Sequence, residues 1–233
     1  MKVSIAISTF EANGTGCNLL SNNLDKIAMQ TYPNIEVVIS DHSKDNNISN
    51  LLNSYSNKLN IVYIKNPNNY GNTSNNINNA INHCSGDLIK IIFMDDYLFL
   101  PNSIQLIVDE FNKYSNRKWL VNSYAHTQNY KKIFWQYHPK NNPKMGLGIN
   151  TIGCPSGLTI RKVITQRFDE NLKWFMDCDY YYRLYLNYGE PIYLHKILVI
   201  NYLHANQVTN KQINDDLVKR EYQYIVQKYK KKN

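Results

Sequence analysis

Ile91-Ile92-Phe93-Met94 runs directly into Asp95-Asp96-Tyr97-Leu98. Four apolar residues ahead of two adjacent carboxylates read as a buried strand. That strand would deliver acids to the lip of a sheet, where open α/β folds bind their ligands. Neighbours on a strand point to opposite sides, so Asp95 and Asp96 would do different work, one facing a metal ion and the other a hydroxyl. The competing reading is an exposed turn ahead of a helix near Pro101. Three more groups lie at strand ends or helix starts: Asp41, the pair Asp177 and Asp179, and His204. Carboxylates and an imidazole without a thiolate suit a divalent cation such as Mg²⁺ or Mn²⁺. Such an ion is most useful where a diphosphate must leave. Each group also has a plain structural explanation. Asp41 can cap a loop, Asp177 can cap a helix, Asp179 can complement that helix's dipole, and His204 can be a surface residue. Gly14 and Gly16 do not make a dinucleotide loop, because Leu19 stands at the third glycine.

These residues need a scaffold, and the periodicity supplies one. Strand patterns cover residues 2–7, 35–40, 60–64 and 88–94. Helical stripes cover 18–29, 48–55 and 76–84 between them. Strands alternating with helices predict a parallel, right-handed α/β sheet. A helix over 101–114 carries Pro in its first turn. The second half changes character: strands over 118–125, 132–138, 158–161 and 191–202 of mixed direction, a Pro- and Gly-bearing loop over 141–148, and a helix over 180–188 ended by Gly189. An amphipathic helix over 213–229 follows, with Leu217, Val218, Tyr222, Ile225 and Tyr229 on one side.

A chain of 233 residues with 43% hydrophobic content is long and apolar enough for a packed core. No apolar run spans a bilayer, and the N-terminal apolar run is too short for a signal-peptide core. The four cysteines (Cys17, Cys84, Cys154 and Cys178) lack zinc spacing and form no CxxC pair. They are expected as reduced structural thiols in a cytoplasmic protein. The net charge is +8, and half of it lies after position 210, where seven Lys/Arg face three Asp/Glu. Such a balance suits nucleic acid, an anionic membrane or a phosphorylated substrate.

The motifs, taken in order, resemble a known family. Val3-Ser4-Ile5-Ala6-Ile7-Ser8-Thr9-Phe10, then Gln30-Thr31-Tyr32-Pro33-Asn34 leading to Ser40-Asp41, then Ser85-Gly86-Asp87 and Phe93-Met94-Asp95-Asp96 are similar to a family 2 inverting nucleotide-sugar glycosyltransferase of the GT-A fold. The likeness continues through Phe168-Asp169-Glu170-Asn171-Leu172, Asp177-Cys178-Asp179-Tyr180-Tyr181-Tyr182-Arg183 and Tyr202-Leu203-His204, and spans roughly 3–209. It implies a Rossmann-like, mostly parallel central sheet flanked by helices, with a mixed acceptor-side half. It also implies roles. Ser8, Thr9, Phe10 and Glu11 would lie against the nucleotide, and Asp41 would accept from uracil. Asp95 would meet the ribose or sugar, while Asp96 and His204 would hold Mn²⁺ or Mg²⁺ on the diphosphate. Asp177 would be the base that deprotonates the acceptor hydroxyl. Asp179 is the alternative base, and it and Arg183 are secondary members of the site. The sequence departs from the family at Ser8 (often Pro), Ser40 (often Asp) and Met176 (often Glu). The partners implied are a UDP-sugar donor and a glycan or lipid-linked acceptor.

Two other functions compete. A sugar nucleotidyltransferase would want a glycine-rich basic loop after the first strand, but residues 11–17 hold no Lys or Arg. A basic nucleic-acid-binding protein would show a continuous charge stripe, and the charge here gathers in the tail. The expected organisation is a domain over 1–210, with a nucleotide half to 100 and an acceptor half after it, and a basic helix over 211–233. That helix would dock on the domain, leaving Lys228, Lys230, Lys231 and Lys232 to touch an anionic membrane.

Overall fold

The structure, a computed structural model, describes residues 1–11, 14–141 and 143–230. Its centre is β1 (Val3–Thr9), buried along its whole length. Alternation decides which side each residue serves. Ile5 and Ile7 join Leu20, Leu24 and Ile27 of α1 (Thr15–Ala28) on one face, while Ala6 joins Ile77, Ala80 and Ile81 of α3 (Thr73–His83) on the other. Parallel partners surround it: β2 (Ile35–Asp41), β3 (Ile61–Lys65) beyond that, and β4 (Leu88–Ile91) on the other flank. Between β2 and β3 lies α2 (Asn47–Leu52), closed by a single 3₁₀ turn at Asn53–Tyr55. Helix α3 starts three residues before its apolar stripe, because Asn72 caps it by accepting from the Asn75 N–H at 2.9 Å.

The fourth strand is shorter than its apolar run. β4 ends at Ile91, and Phe93 to Asp96 make a turn in which Asp96 N–H donates to the Phe93 carbonyl at 3.0 Å. The chain then re-enters the sheet as β5 (Asp96–Leu98), which no apolar period announces. After α4 (Ser103–Lys113), a mixed layer follows: β6 (Trp119–Thr127), β7 (Ile133–Tyr137), β8 (Leu158–Arg161) and β9 (Ile192–Tyr202). The strand order is β3-β2-β1-β4-β8-β6-β9-β5, with β7 on β6. The N-terminal strands β1 to β4 are thus all parallel, and the rest of the sheet is mixed. Helix α5 (Met176–Tyr188) covers the face that α3 covers.

The C-terminal segment forms a short helix, α6 (Val208–Gln212), and then α7 (Asp215–Lys230). Ile225 and Tyr229 of α7 are buried in the same core as α3 and α5. Glu221 is buried with them and accepts the backbone N–H groups of Lys173, Trp174 and Phe175 at 2.8, 2.9 and 3.1 Å. Those groups lead into α5, so Glu221 caps one helix from another. Lys228 corrects the expectation of a free basic tail. Its ammonium is held by Asp169 at 2.5 Å and Asp179 at 2.6 Å. Lys230 is exposed, and Lys231 and Lys232 lie outside the described residues. Among the described residues, no helix is long and apolar enough to cross a membrane, and all four cysteines are free thiols.

Candidate active site

Parallel strands bring their C-terminal ends together, and the register makes this explicit: Thr9 pairs with Asp41, and Asp41 with Lys65. Asp41 is closed to solvent. One carboxylate oxygen accepts from the Ser43 N–H at 2.8 Å and from the Ser43 hydroxyl. The other accepts from Tyr63 at 2.8 Å and Lys65 at 3.1 Å. Both Asp41 oxygens are thus engaged by protein donors. Glu11 is likewise engaged. Burial opposes its charge, but N–H groups at the start of α1 outweigh that and hold its pKa below the usual range. It accepts from Gly14 N–H, and from Cys17 N–H at 2.8 Å. Gly16 is needed because a Cβ there would collide with the Phe10 carbonyl oxygen. Ser8 is buried in β1 and Thr9 is tied to β2.

What faces outward at this lip is aromatic. Phe10 is exposed and meets Tyr70 edge-on at 5.6 Å. Tyr70 lies 6.2 Å from the His42 ring and carries the Lys44 ammonium 4.9 Å over its face. Behind it, Asn76 donates to the Thr9 carbonyl at 3.0 Å and accepts from Ser40 at 2.6 Å, binding β1 and β2 to α3.

The adjacent acids separate as strand geometry requires, but in the opposite sense to the expected one. β5 pairs with β9 so that Asp96 faces Asn201. Asp95 consequently meets the residue beyond the end of β9, and its carboxylate lies 3.2 Å from His204 Nε2. Asp96 turns inward and is only 4% exposed. It accepts from Ser156, whose hydroxyl also accepts the Phe93 N–H at 3.0 Å. Burial and the neighbouring Asp95 charge push its pKa well up. Beneath it, the fully buried Lys90 donates to the Ser156 carbonyl at 2.5 Å and to Asn122 at 3.0 Å. Burial lowers its pKa to about 7. Asp95 and His204 form the outward pair, and Asp96 belongs to the frame that shapes the turn. A cavity of about 320 Å³ opens beside His204, lined by Thr15, Asn18, Asn22, Tyr130 and Tyr202.

Two protein groups suit a cation that fills its remaining positions with ligand oxygens and water. Among the described residues no cluster of three His, Cys, Asp or Glu side chains forms a complete metal site. Asp95 and His204 are thus a partial donor set for such an ion.

Asp177 lies in the first turn of α5 and accepts from Asn150 at 2.6 Å and from Cys178 N–H at 2.7 Å. Burial raises its pKa to about 6, against those hydrogen bonds. Asp179 is fully buried and takes Arg183 at 2.8 Å, Lys228 at 2.6 Å and Tyr229 at 2.6 Å. It has no oxygen left for a substrate proton, and Arg183 is committed to it. Both secondary candidates are thereby structural anchors. Sequence patterns do not single out Tyr70, His42, Asn150, Ser156 or Glu221. Only a buried Lys in an apolar strand, at position 90, carries a visible signal.

A family model described as Glycosyl transferase family 2 matches residues 4–169. An uncharacterized glycosyltransferase of Rickettsia typhi is 27% identical over 229 residues, covering 91% of this chain and 67% of that protein. The crystal structure of S. aureus TarS superposes with a TM-score of 0.70 at 17% identity, covering 98% of this chain and 43% of that one. TarS in complex with UDP-GlcNAc gives 0.69 at 17% identity, over 97% of this chain and 66% of that one. The mannosyltransferase PcManGT of Pyrobaculum calidifontis, in complex with GDP-Man and Mn²⁺, gives 0.61 at 14% identity, over 88% and 58%. At such identities the structural likeness shows the fold, which is GT-A-like. The chain spans under half the length of TarS.

Proposed function

The chain belongs to glycosyl transferase family 2, and from that premise we propose that it moves a sugar from a nucleotide-sugar, UDP-linked by preference, to a hydroxyl of a glycan or lipid-linked acceptor with inversion. The observation that most supports this is the outward Asp95–His204 pair where β5 meets the end of β9, together with Asp177 held by Asn150 at the start of α5. Inversion is a single displacement, needing one base for the nucleophile and a cation for the leaving group. Asp177 is the base. Its raised pKa keeps it basic enough to take a hydroxyl proton yet ionised above about pH 6. Asn150 orients its carboxylate. Asp95 and His204 would hold Mn²⁺ or Mg²⁺, which would neutralise charge on the departing diphosphate. Phe10 and Tyr70 supply faces on which a base can stack. The cavity lined by Asn18 and Asn22 offers amides to donor hydroxyls. Contact with an anionic membrane, if the acceptor is lipid-linked, falls to Lys230 and the residues beyond it.

The test is a panel of UDP-, dTDP- and GDP-sugars assayed for metal-dependent binding and slow hydrolysis. We expect UDP-sugars to bind with Mn²⁺ or Mg²⁺ present. Asp177→Asn should keep that binding and lose at least about 100-fold of transfer. Full transfer by this variant rejects the base, and indifference to every nucleotide-sugar rejects the activity.

A further inference from the structure

β7 does not run evenly along β6. Ala125 pairs with Gln136 but His126 with Phe134, so Trp135 is the extra residue of a bulge. Bulges re-aim side chains beside active sites. Trp135 has φ +43°, a conformation that bulky L residues avoid. Its indole is 63% exposed. The ring is nevertheless fixed. One face stacks on His126, with centroids 4.8 Å and planes 19° apart, and Tyr124 meets His126 edge-on at 5.5 Å. Tyr137 lies edge-on to Trp135 at 6.1 Å and stacks on Tyr124 at 5.2 Å.

Two further features bear on the indole: what lies behind it and where the row leads. His126 is nine-tenths buried, yet neither ring nitrogen has a hydrogen-bond partner among the described residues. The aromatic row also ends at the candidate base: the Tyr137 hydroxyl donates to the Asn150 carbonyl at 3.4 Å, and the Asn150 amide donates to Asp177 at 2.6 Å.

We propose that the open face of Trp135 is a stacking platform for a sugar ring of the acceptor, beyond the hydroxyl that Asp177 serves. This rests on the transferase function above. A pyranose offers C–H groups on one face and hydroxyls at its rim. A flat indole matches the first. The row's link to Asp177 through Tyr137 and Asn150 suits an acceptor sugar better than a bilayer or a second copy of the chain.

The experiment follows the tryptophan indole N–H signals by NMR during titration with methyl β-glucopyranoside, methyl β-galactopyranoside and N-acetylglucosamine oligomers. Trp119 and Trp174 serve as internal references. The Trp135 signal, identified by its loss in Trp135→Ala, is expected to shift with at least one saccharide while the other two stay. Saturation transfer to the saccharide should then weaken about tenfold in apparent affinity in Trp135→Ala and only slightly in Trp135→Phe. Donor hydrolysis should be unchanged in both variants. A Trp135 signal that no saccharide moves overturns the platform, and preserved donor hydrolysis in that case leaves the transferase standing. Missing hydrolysis together with a shifting Trp135 signal rejects the transferase and supports Trp135 as a saccharide site. A Trp135-dependent dimer in sedimentation, or Trp135-dependent vesicle binding, also overturns the platform.

Discussion

Substitutions at two adjacent acids should separate two jobs. Asp95→Asn removes the carboxylate that faces His204 and is expected to abolish metal-dependent donor binding. Asp96→Asn keeps an acceptor for Ser156 inside the frame and should retain most of it, by calorimetry with UDP and Mn²⁺. Equal losses would refute the division. At Asp177 the pH profile is informative. A base whose pKa is about 6 loses activity below that value, roughly tenfold per unit. Its stability contribution has the opposite sense. A carboxyl whose folded pKa is raised favours the fold while protonated, and that advantage is lost as pH rises through about 4 to 6. Asp177→Asn should therefore melt higher at pH 7, by about 1 kcal/mol or roughly 2–4 °C. The identities of Asp95, Asp177 and His204 are legible as acids and an imidazole at strand and helix ends. Their orientations are not. Which acid of the pair faces outward depends on β5 pairing with β9, a contact about a hundred residues apart in the chain. The partners of Asp41 are hidden for a related reason, since Tyr63 and Lys65 come from the next strand.

At the scale of elements, periodicity predicts strands and helices where an apolar stripe is long, as in β1, α4 and β9. It fails where hydrogen bonds from polar side chains set the boundary. Asn72 starts α3 early, and Ser156 with Asn23 shapes the turn that cuts β4 short. Many asparagines that look like compositional bias work inside the fold. Asn78 both donates to and accepts from the Phe168 backbone, at 2.9 and 2.8 Å. The sharpest case is the seat of α5. Three backbone N–H groups before it end on Glu221 of α7, a charged acceptor in a buried place. Glu221→Ala leaves those donors unpaired and should cost about 3 kcal/mol of stability. It should also reduce transfer, because α5 carries Asp177. A denaturant midpoint unchanged by this substitution would show that the cap contributes nothing.

For the whole molecule, the core on the α3 and α5 side of the sheet closes with the last helix, not before it. Removing residues 231–233 should leave the melting temperature alone and lower association with anionic vesicles, if that surface meets a membrane. Cutting from Lys228 removes the ammonium and phenol that hold Asp179, and should lower melting by far more than one lost charge would. The two truncations, compared by calorimetry and vesicle sedimentation, separate anchoring from membrane contact. Glu221 adds a temporal consequence. Helix α7 follows all other described elements in the chain, so it leaves the ribosome after them. The parallel N-terminal strands can assemble while α5 still lacks its cap and Asp177 its fixed position. A nascent chain would thus be able to hold a nucleotide-sugar before it could transfer from it, and would gain transfer only once synthesis has passed Tyr229.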